Sequence, residues 1–361
     1  MTELSPAEVL RIRQWRQLLH RPGWASPQDV VQRLVGVQAQ DLEAARLAIV
    51  VRSSHSTPVH VETARVDERS IVRTWAMRAT LHLVAASDLS WLRPLLTPRI
   101  VEITARRSRE LGLDEKTYTA ALESMRRALQ TGPPLSRHEL ASRLESEGID
   151  PSGQRMPYLL LRASIEGLIC EGPLLAGKPA YVLVSEWLER APSEDLDREE
   201  ALLRLATRYL AGYGPASPAD FSAWSGFPLR EARAAFQGAG AIGIKTGDST
   251  LWDLNERSGY GAEVPRAALL PAFDAYLLGY RDRSLFLDGR FVKKVNAGGG
   301  MVRPVFVVDG RIQGTWRLSG SKVAIEPFEE LAPELLRILE EQAQRIRRLL
   351  SSDTKLPDAG R

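Results

Sequence analysis

Cysteine is almost missing from this sequence. One thiol, Cys170, in 361 residues excludes an intramolecular disulfide framework and any multi-cysteine zinc or iron–sulfur site. Histidine is scarce too, at His20, His55, His60, His82 and His138, and no carboxylate or cysteine cluster completes a ligand set around His55 and His60. No metal and no cofactor is therefore expected. No stretch approaches about 18 uninterrupted apolar residues, the length a membrane helix needs. The opening MTELSPAEVL also lacks a basic region followed by an apolar run. The chain is thus expected to be soluble and cytoplasmic. The familiar catalytic signatures are missing as well: no G-x-S-x-G, no Walker loop, no H-E-x-x-H and no zinc-deaminase pattern. A net charge of +3 is too mild to identify a nucleic-acid binder by itself.

What is present is a globular composition, 44% hydrophobic and 26% charged, in a chain long enough for two or three units. Residues 5–20 read as a helix that Ser5 caps and Pro6 begins. Ser26 and Pro27 start a second, with Val30, Val31, Leu34 and Val35 at helical spacing, and Asp41 reads as the cap of a third. SIVRTWAMRATLHLV (70–84) then reads as two strands interrupted at AMRA. Three helices followed by a hairpin is the order of a winged helix. The same order of elements returns twice, without residue-level repetition. From about residue 265 short strands with Gly and Asp-Gly turns predict a small antiparallel sheet or barrel, followed by an amphipathic helix over 332–350. The fold class expected is α+β and mostly helical, with three tandem winged-helix motifs and a small C-terminal antiparallel β-barrel. The expected divisions are 1–86, 132–190 and 195–256 for the winged helices and 87–131 for a helical connector. Residues 257–330 are assigned to the barrel, and 331–361 to the terminal helix and a polar tail.

Helix-turn-helix units in tandem point to a nucleic-acid surface, and the basic residues are grouped. Arg106, Arg107, Arg109, Arg126 and Arg127 crowd one region, either as part of such a surface or simply as solvated helix faces. In KKVNAGGGMVR, Lys293, Lys294, Asn296 and Arg303 bracket Gly298, Gly299 and Gly300. A tip without side chains either lies against a sugar–phosphate backbone or is simply a hairpin end with surface charge around it. The run VGVQAQD (35–41) poses a similar choice. Gln38 continues the inward stripe of the second helix, yet Asp41 as a cap requires residues 38–40 to be leaving that helix. In extended geometry Gln38 and Gln40 point the same way. They either satisfy loose carbonyls at a helix end or face one cleft together.

VGVQAQD, RTWAMRATLHLV, LLPAFDAYLLGYRDR and GGGMVRPVFVVDGRIQGTWR together resemble the winged-helix DNA glycosylases related to the azinomycin-resistance protein, over most of the chain. The resemblance implies a C-shaped DNA channel and the Gln–apolar–Gln subtype of the family's catalytic motif, at Gln38, Ala39 and Gln40. It further implies a monofunctional enzyme that hydrolyses the N-glycosidic bond of bulky or cross-linked N7-alkylated purines. Its roles would be base excision repair and self-resistance to a DNA-alkylating natural product, and its partner double-stranded DNA carrying such purines. A monomer is expected. The glycine-tipped hairpin, with Lys293, Lys294, Asn296 and Arg303, is then the element that binds DNA. Arg73, Trp75, Arg78 and His82, beside the first winged helix, are candidate pocket residues, although His82 reads equally as a core histidine. Asp274 is a further pocket candidate, or else an internal partner of Arg283. The competing reading is a non-enzymatic winged-helix transcriptional regulator.

Overall fold

The computed structural model describes residues 2–188, 196–254, 264–319 and 322–352. The first stretch holds β1 (Thr2–Glu3), α1 (Pro6–Arg16), α2 (Pro27–Arg33), β2 (Val37–Gln38), α3 (Leu42–Val50) and α4 (Pro58–Val66). Next come β3 (Ile71–Trp75), β4 (Leu81–Ala85), α5 (Leu89–Glu110), α6 (Glu115–Leu129), β5 (Leu135–Ser136), α7 (Arg137–Ser146) and α8 (Arg155–Ile165). They are followed by β6 (Ile169–Leu175), β7 (Lys178–Leu183), α9 (Val184–Trp187), α10 (Arg198–Tyr213), α11 (Pro218–Ser225), α12 (Leu229–Gly238), β8 (Ile242–Thr246) and β9 (Ser249–Asp253). The remainder is β10 (Ala267–Leu270), α13 (Ala275–Leu278), α14 (Val292–Val295), β11 (Asn296–Gly298), β12 (Met301–Val302) and β13 (Val305–Val308), then β14 (Arg311–Ser319), β15 (Lys322–Pro327) and α15 (Pro333–Ser352). The expected boundaries at 190–195 and 256–257 and the end of the polar tail lie outside the described residues.

Helix starts follow the local chemistry of the sequence. Ser5, Ser26, Ser136 and Ser217 each cap a helix with a reciprocal box closed by an acid three residues on. In three of the four, proline supplies the fixed φ of the first turn. Asp41 caps α3, its Oδ1 accepting from the Ala44 N–H at 3.0 Å.

Two compact units result, one of residues up to 61 together with those from 202, the other of 62–201. In the first, α10, α11 and α12 precede the β8–β9 hairpin, and β1 adds to β8 in parallel. Tyr209 packs among Tyr213, Phe221, Trp224 and Phe236, with ring centroids 4.9–6.4 Å apart. The strands expected to close a barrel form, among the described residues, an open antiparallel sheet in the order β10-β13-β14-β15. Four strands are too few to wrap a filled interior. Instead α15 packs beside the sheet, burying Leu339, Ala343 and Ile346. In the second unit β4-β3-β6-β7-β5 make an antiparallel sheet, and α6, α7 and α8 enclose a core that includes Tyr118, Met125, Leu144, Met156 and Leu160.

Candidate active site

The segment carrying Gln38 and Gln40 is not helical. α2 stops at Arg33, Val35 turns left-handed at φ 54°, and Gly36 follows at φ 116°. That second value is open to glycine and strained for any other residue. The Gly36 N–H donates to the Val31 carbonyl at 3.0 Å, closing the helix end. Gln38 therefore does not continue the stripe of Val30, Val31 and Leu34; it lies on extended chain between that closure and the Asp41 cap. Burial then alternates with period two. Val37 and Ala39 are 1% and 0% exposed, while Gln38 is half-buried and Gln40 exposed. Both amides thus lie on the side of the segment opposite the packed residues. The Gln38 Oε1 is buried and accepts no hydrogen bond among the described residues. An unsatisfied buried acceptor costs about 1–3 kcal/mol.

α10 holds the turn that launches this segment. The C-terminal carbonyls of α2 lack helical partners, as at any helix end. Arg208 Nη2 donates to the Gln32 carbonyl at 2.7 Å, and the Tyr213 hydroxyl donates to the Leu34 carbonyl at 3.0 Å. Between them Gly212 lets the helix approach closely, since a Cβ there would collide with the Arg33 carbonyl oxygen. Burial holds the Tyr213 phenol well above its ordinary value, so it remains a donor at any ordinary pH. Spacing did not single out these residues; the one signal was a glycine inside a helical pattern, which marks a close approach.

The glycine hairpin gathers several expected residues. Gly298, Gly299 and Gly300 have φ of 89°, 58° and 80°, so the tip needs glycine for its backbone. Lys293, Lys294 and Arg303 are all exposed around it. The Arg303 N–H donates to the Val295 carbonyl at 2.9 Å, and Lys294 Nζ lies 5.3 Å from the rings of both Phe291 and Phe328. Asn296 is half-buried and accepts from Arg283 Nη1 at 3.3 Å, which makes it a brace for the hairpin. Met301, 54% exposed beside the glycines, was not anticipated.

The other candidates are placed differently. Asp274 is fully buried and takes two hydrogen bonds from Arg52, at 2.8 and 2.7 Å, while capping α13. Its partner is thus Arg52 and not Arg283. In the second unit Arg73 is buried against Glu171, whose carboxyl burial pushes up against the opposing pull of that guanidinium. His82 is buried with Nδ1 2.9 Å from the Thr80 carbonyl, and desolvation pushes it down to about 4, so it is neutral at pH 7. Arg78 and Ala79, both at φ 57°, form the tight turn between β3 and β4 without any glycine. Trp75 lines an apolar cavity of about 360 Å³ together with Leu89, Arg93 and Cys170. Within the arginine group of α5 and α6, Arg106 and Arg107 share Glu110 at 2.9 Å, and Arg127 pairs with Glu147 at 2.7 Å. These three lie on solvated helix faces beside counter-charges of their own.

Among the described residues no three His, Cys, Asp or Glu side chains are grouped to hold a metal ion, and no helix is long and apolar enough to cross a membrane. The family model described as DNA glycosylase AlkZ-like matches residues 31–349. An interstrand DNA cross-link repair glycosylase of Streptomyces sahachiroi is 27% identical, the alignment covering 97% of each chain. The solved structure of the Streptomyces sahachiroi DNA glycosylase AlkZ superimposes with a TM-score of 0.83 at 26% identity, over 96% of this chain and 97% of that one.

Proposed function

Because the chain belongs to the AlkZ-like DNA glycosylases, hydrolases of N-glycosyl bonds, we propose that Gln38 and Gln40 are its whole catalytic apparatus. The substrates this reading assigns are bulky or cross-linked N7-alkylated purines in double-stranded DNA. The observation that carries it is the buried, partnerless Oε1 of Gln38, on the same side of a braced segment as Gln40.

The chemistry suits two amides. Alkylation at N7 makes the purine cationic, so it leaves as a neutral base without needing a proton. The C1′–N9 bond breaks as positive charge develops on the sugar, as in other glycosyl transfers. A glutamine carbonyl both accepts from an attacking water and faces that positive charge, while its NH₂ donates. It is a poor base, so it suits a substrate already activated by its own charge. Water adds at C1′ and its proton passes to solvent, leaving an abasic site. A partnerless acceptor held in place needs no reorganisation to meet the developing cation.

The repeated order of helices followed by a two-stranded hairpin supports assigning three winged helices, over 1–86, 132–190 and 195–256. The exposed cations around Gly298–Gly300 support that hairpin as a DNA-contacting element. The name of the Streptomyces relative supports cross-link repair as part of the activity, and the Gln–Ala–Gln form of the motif suits a setting of self-resistance to an alkylating natural product. The enzyme acts as a cytoplasmic monomer in this reading. Incubation of an N7-alkylguanine duplex with and without the protein, followed by an endonuclease specific for abasic sites, is the test. Strand breaks at the alkylated guanines only where the protein was present are expected. Binding without breaks would instead leave a non-enzymatic DNA-binding protein.

A further inference from the structure

Trp24 is the most exposed large apolar side chain among the described residues, at 63%. It stands in the loop before α2, at the opposite end of that helix from Gln38. The loop is firmly seated. The Ala25 carbonyl accepts from the Ser53 hydroxyl at 2.7 Å, and a Cβ on Gly23 would lie 3.6 Å from His55 Nε2. The indole is therefore presented on a fixed support instead of packing against it.

The surroundings are cationic. Arg345 of α15 donates to the Ser53 carbonyl at 2.7 Å and to the Val50 carbonyl at 3.3 Å, which brings its charge to the same loop junction. Arg21 is half-buried and bonds the Gln342 side chain, while its Nε has no partner. Burial and the neighbouring Arg345 push the Arg21 guanidinium down to about 10, and burial and Arg348 act likewise on Arg345. At Arg21 and Arg345, amide and carbonyl oxygens accept the hydrogen bonds without cancelling charge. From residue 342 to 352, α15 carries Arg345, Arg347 and Arg348 and no acidic residue. Asp29, the nearest carboxylate to Trp24 along the chain, is engaged in the capping box of α2.

We infer that this face is a second DNA-binding surface. Arg345 and Arg348 face phosphates there, and Trp24 packs on a deoxyribose. α2 is about 10 Å long, so the contact falls on duplex flanking the reacting nucleotide. Crowded cations are relieved by a phosphate anion, and an exposed indole on a braced loop supplies the sequence-tolerant contact that an enzyme reading damage requires.

The inference rests on the family reading that the chain binds DNA, and the experiment separates the two. Undamaged duplex is titrated into the full chain by fluorescence anisotropy across a salt series, for wild type, Trp24→Ala, Trp24→Phe and Arg348→Ala. Expected are about tenfold weaker binding for Trp24→Ala, partial recovery in Trp24→Phe, and a log–log salt slope shallower by about 0.9 for Arg348→Ala. Sedimentation of each protein without DNA accompanies the titration. Variants that bind like wild type overturn the inference. So does a change in self-association with DNA affinity intact, which would make this face an interface between copies. Failure of wild type itself to bind duplex at low salt would instead contradict the family reading.

Discussion

Tyr213→Phe isolates the hold that α10 has on the catalytic segment. The substitution keeps the ring, which stacks on Tyr209 at 4.9 Å and packs against Trp224 at 5.5 Å, and removes only the hydroxyl that donates to the Leu34 carbonyl at 3.0 Å. The carbonyl then loses its donor in a buried setting, at a cost of about 1–3 kcal/mol. Leu34 lies four residues before Gln38, across the left-handed turn at Val35 and Gly36. A loosened turn therefore displaces the Gln38 Oε1. If about half of that cost appears in the transition state, the rate falls roughly 3- to 10-fold, since about 1.4 kcal/mol is a factor of ten. Single-turnover excision of N7-alkylguanine at saturating enzyme measures the rate, urea unfolding the stability, and anisotropy the binding of undamaged duplex. A slower rate with unchanged duplex affinity is expected. A stability loss of the stated size with excision within twofold of wild type would show that α10 supports the fold and not the catalytic geometry.

Local chemistry was the most legible part of this chain. Ser5, Ser26 and Asp41 cap helices as their positions predict, because a cap is decided within four residues. The apolar spacing carried the α2 stripe past the real end of the helix as far as Gln38, but the Asp41 cap correctly placed residues 38–40 on extended chain. The β3–β4 hairpin was legible from its two β-branched, aromatic runs and the break at AMRA, although Arg78 and Ala79 make the left-handed turn without the usual glycine or asparagine. Long-range pairing was illegible in principle: Arg52 and Asp274 are 222 residues apart, and nothing in one sequence ties them. The pairing of Arg106, Arg107 and Arg127 could not be read from their clustering, because Glu110 and Glu147 reach them through helix geometry and tertiary contact. The amides themselves were assigned through the resemblance of the whole chain; spacing alone left their role open.

Three further outcomes follow from the geometry. His82 has a folded-state pKa of about 4 against 6.5 for the unfolded chain, so the unfolded state binds more protons between those values. Its contribution to stability is complete above about pH 6.5 and is lost as pH falls toward 4; about 2 kcal/mol of it should go between pH 7 and 5. Urea midpoints of wild type and His82→Gln compared at the two pH values check this, the variant losing less. Asp274→Ala leaves the Arg52 guanidinium buried without its anion, with an expected cost of about 3–5 kcal/mol in denaturant unfolding. Gly299→Ala places a Cβ on left-handed backbone, which costs roughly 1–2 kcal/mol; nothing crowds that Cβ. Its effect should appear as weaker duplex binding together with a fall of a few degrees at most in melting temperature.

The most direct test of the account is single-turnover excision of N7-alkylguanine from duplex DNA by wild type, Gln38→Ala, Gln40→Ala and the double variant, with duplex affinity measured alongside. Loss of one oriented amide should lower the rate about 10²- to 10³-fold. The double variant should fall little further, because the two act as a unit on one water and one developing cation. Affinity for DNA should remain close to that of wild type throughout. Excision by the double variant at the wild-type rate would contradict the assignment of Gln38 and Gln40 as the catalytic residues.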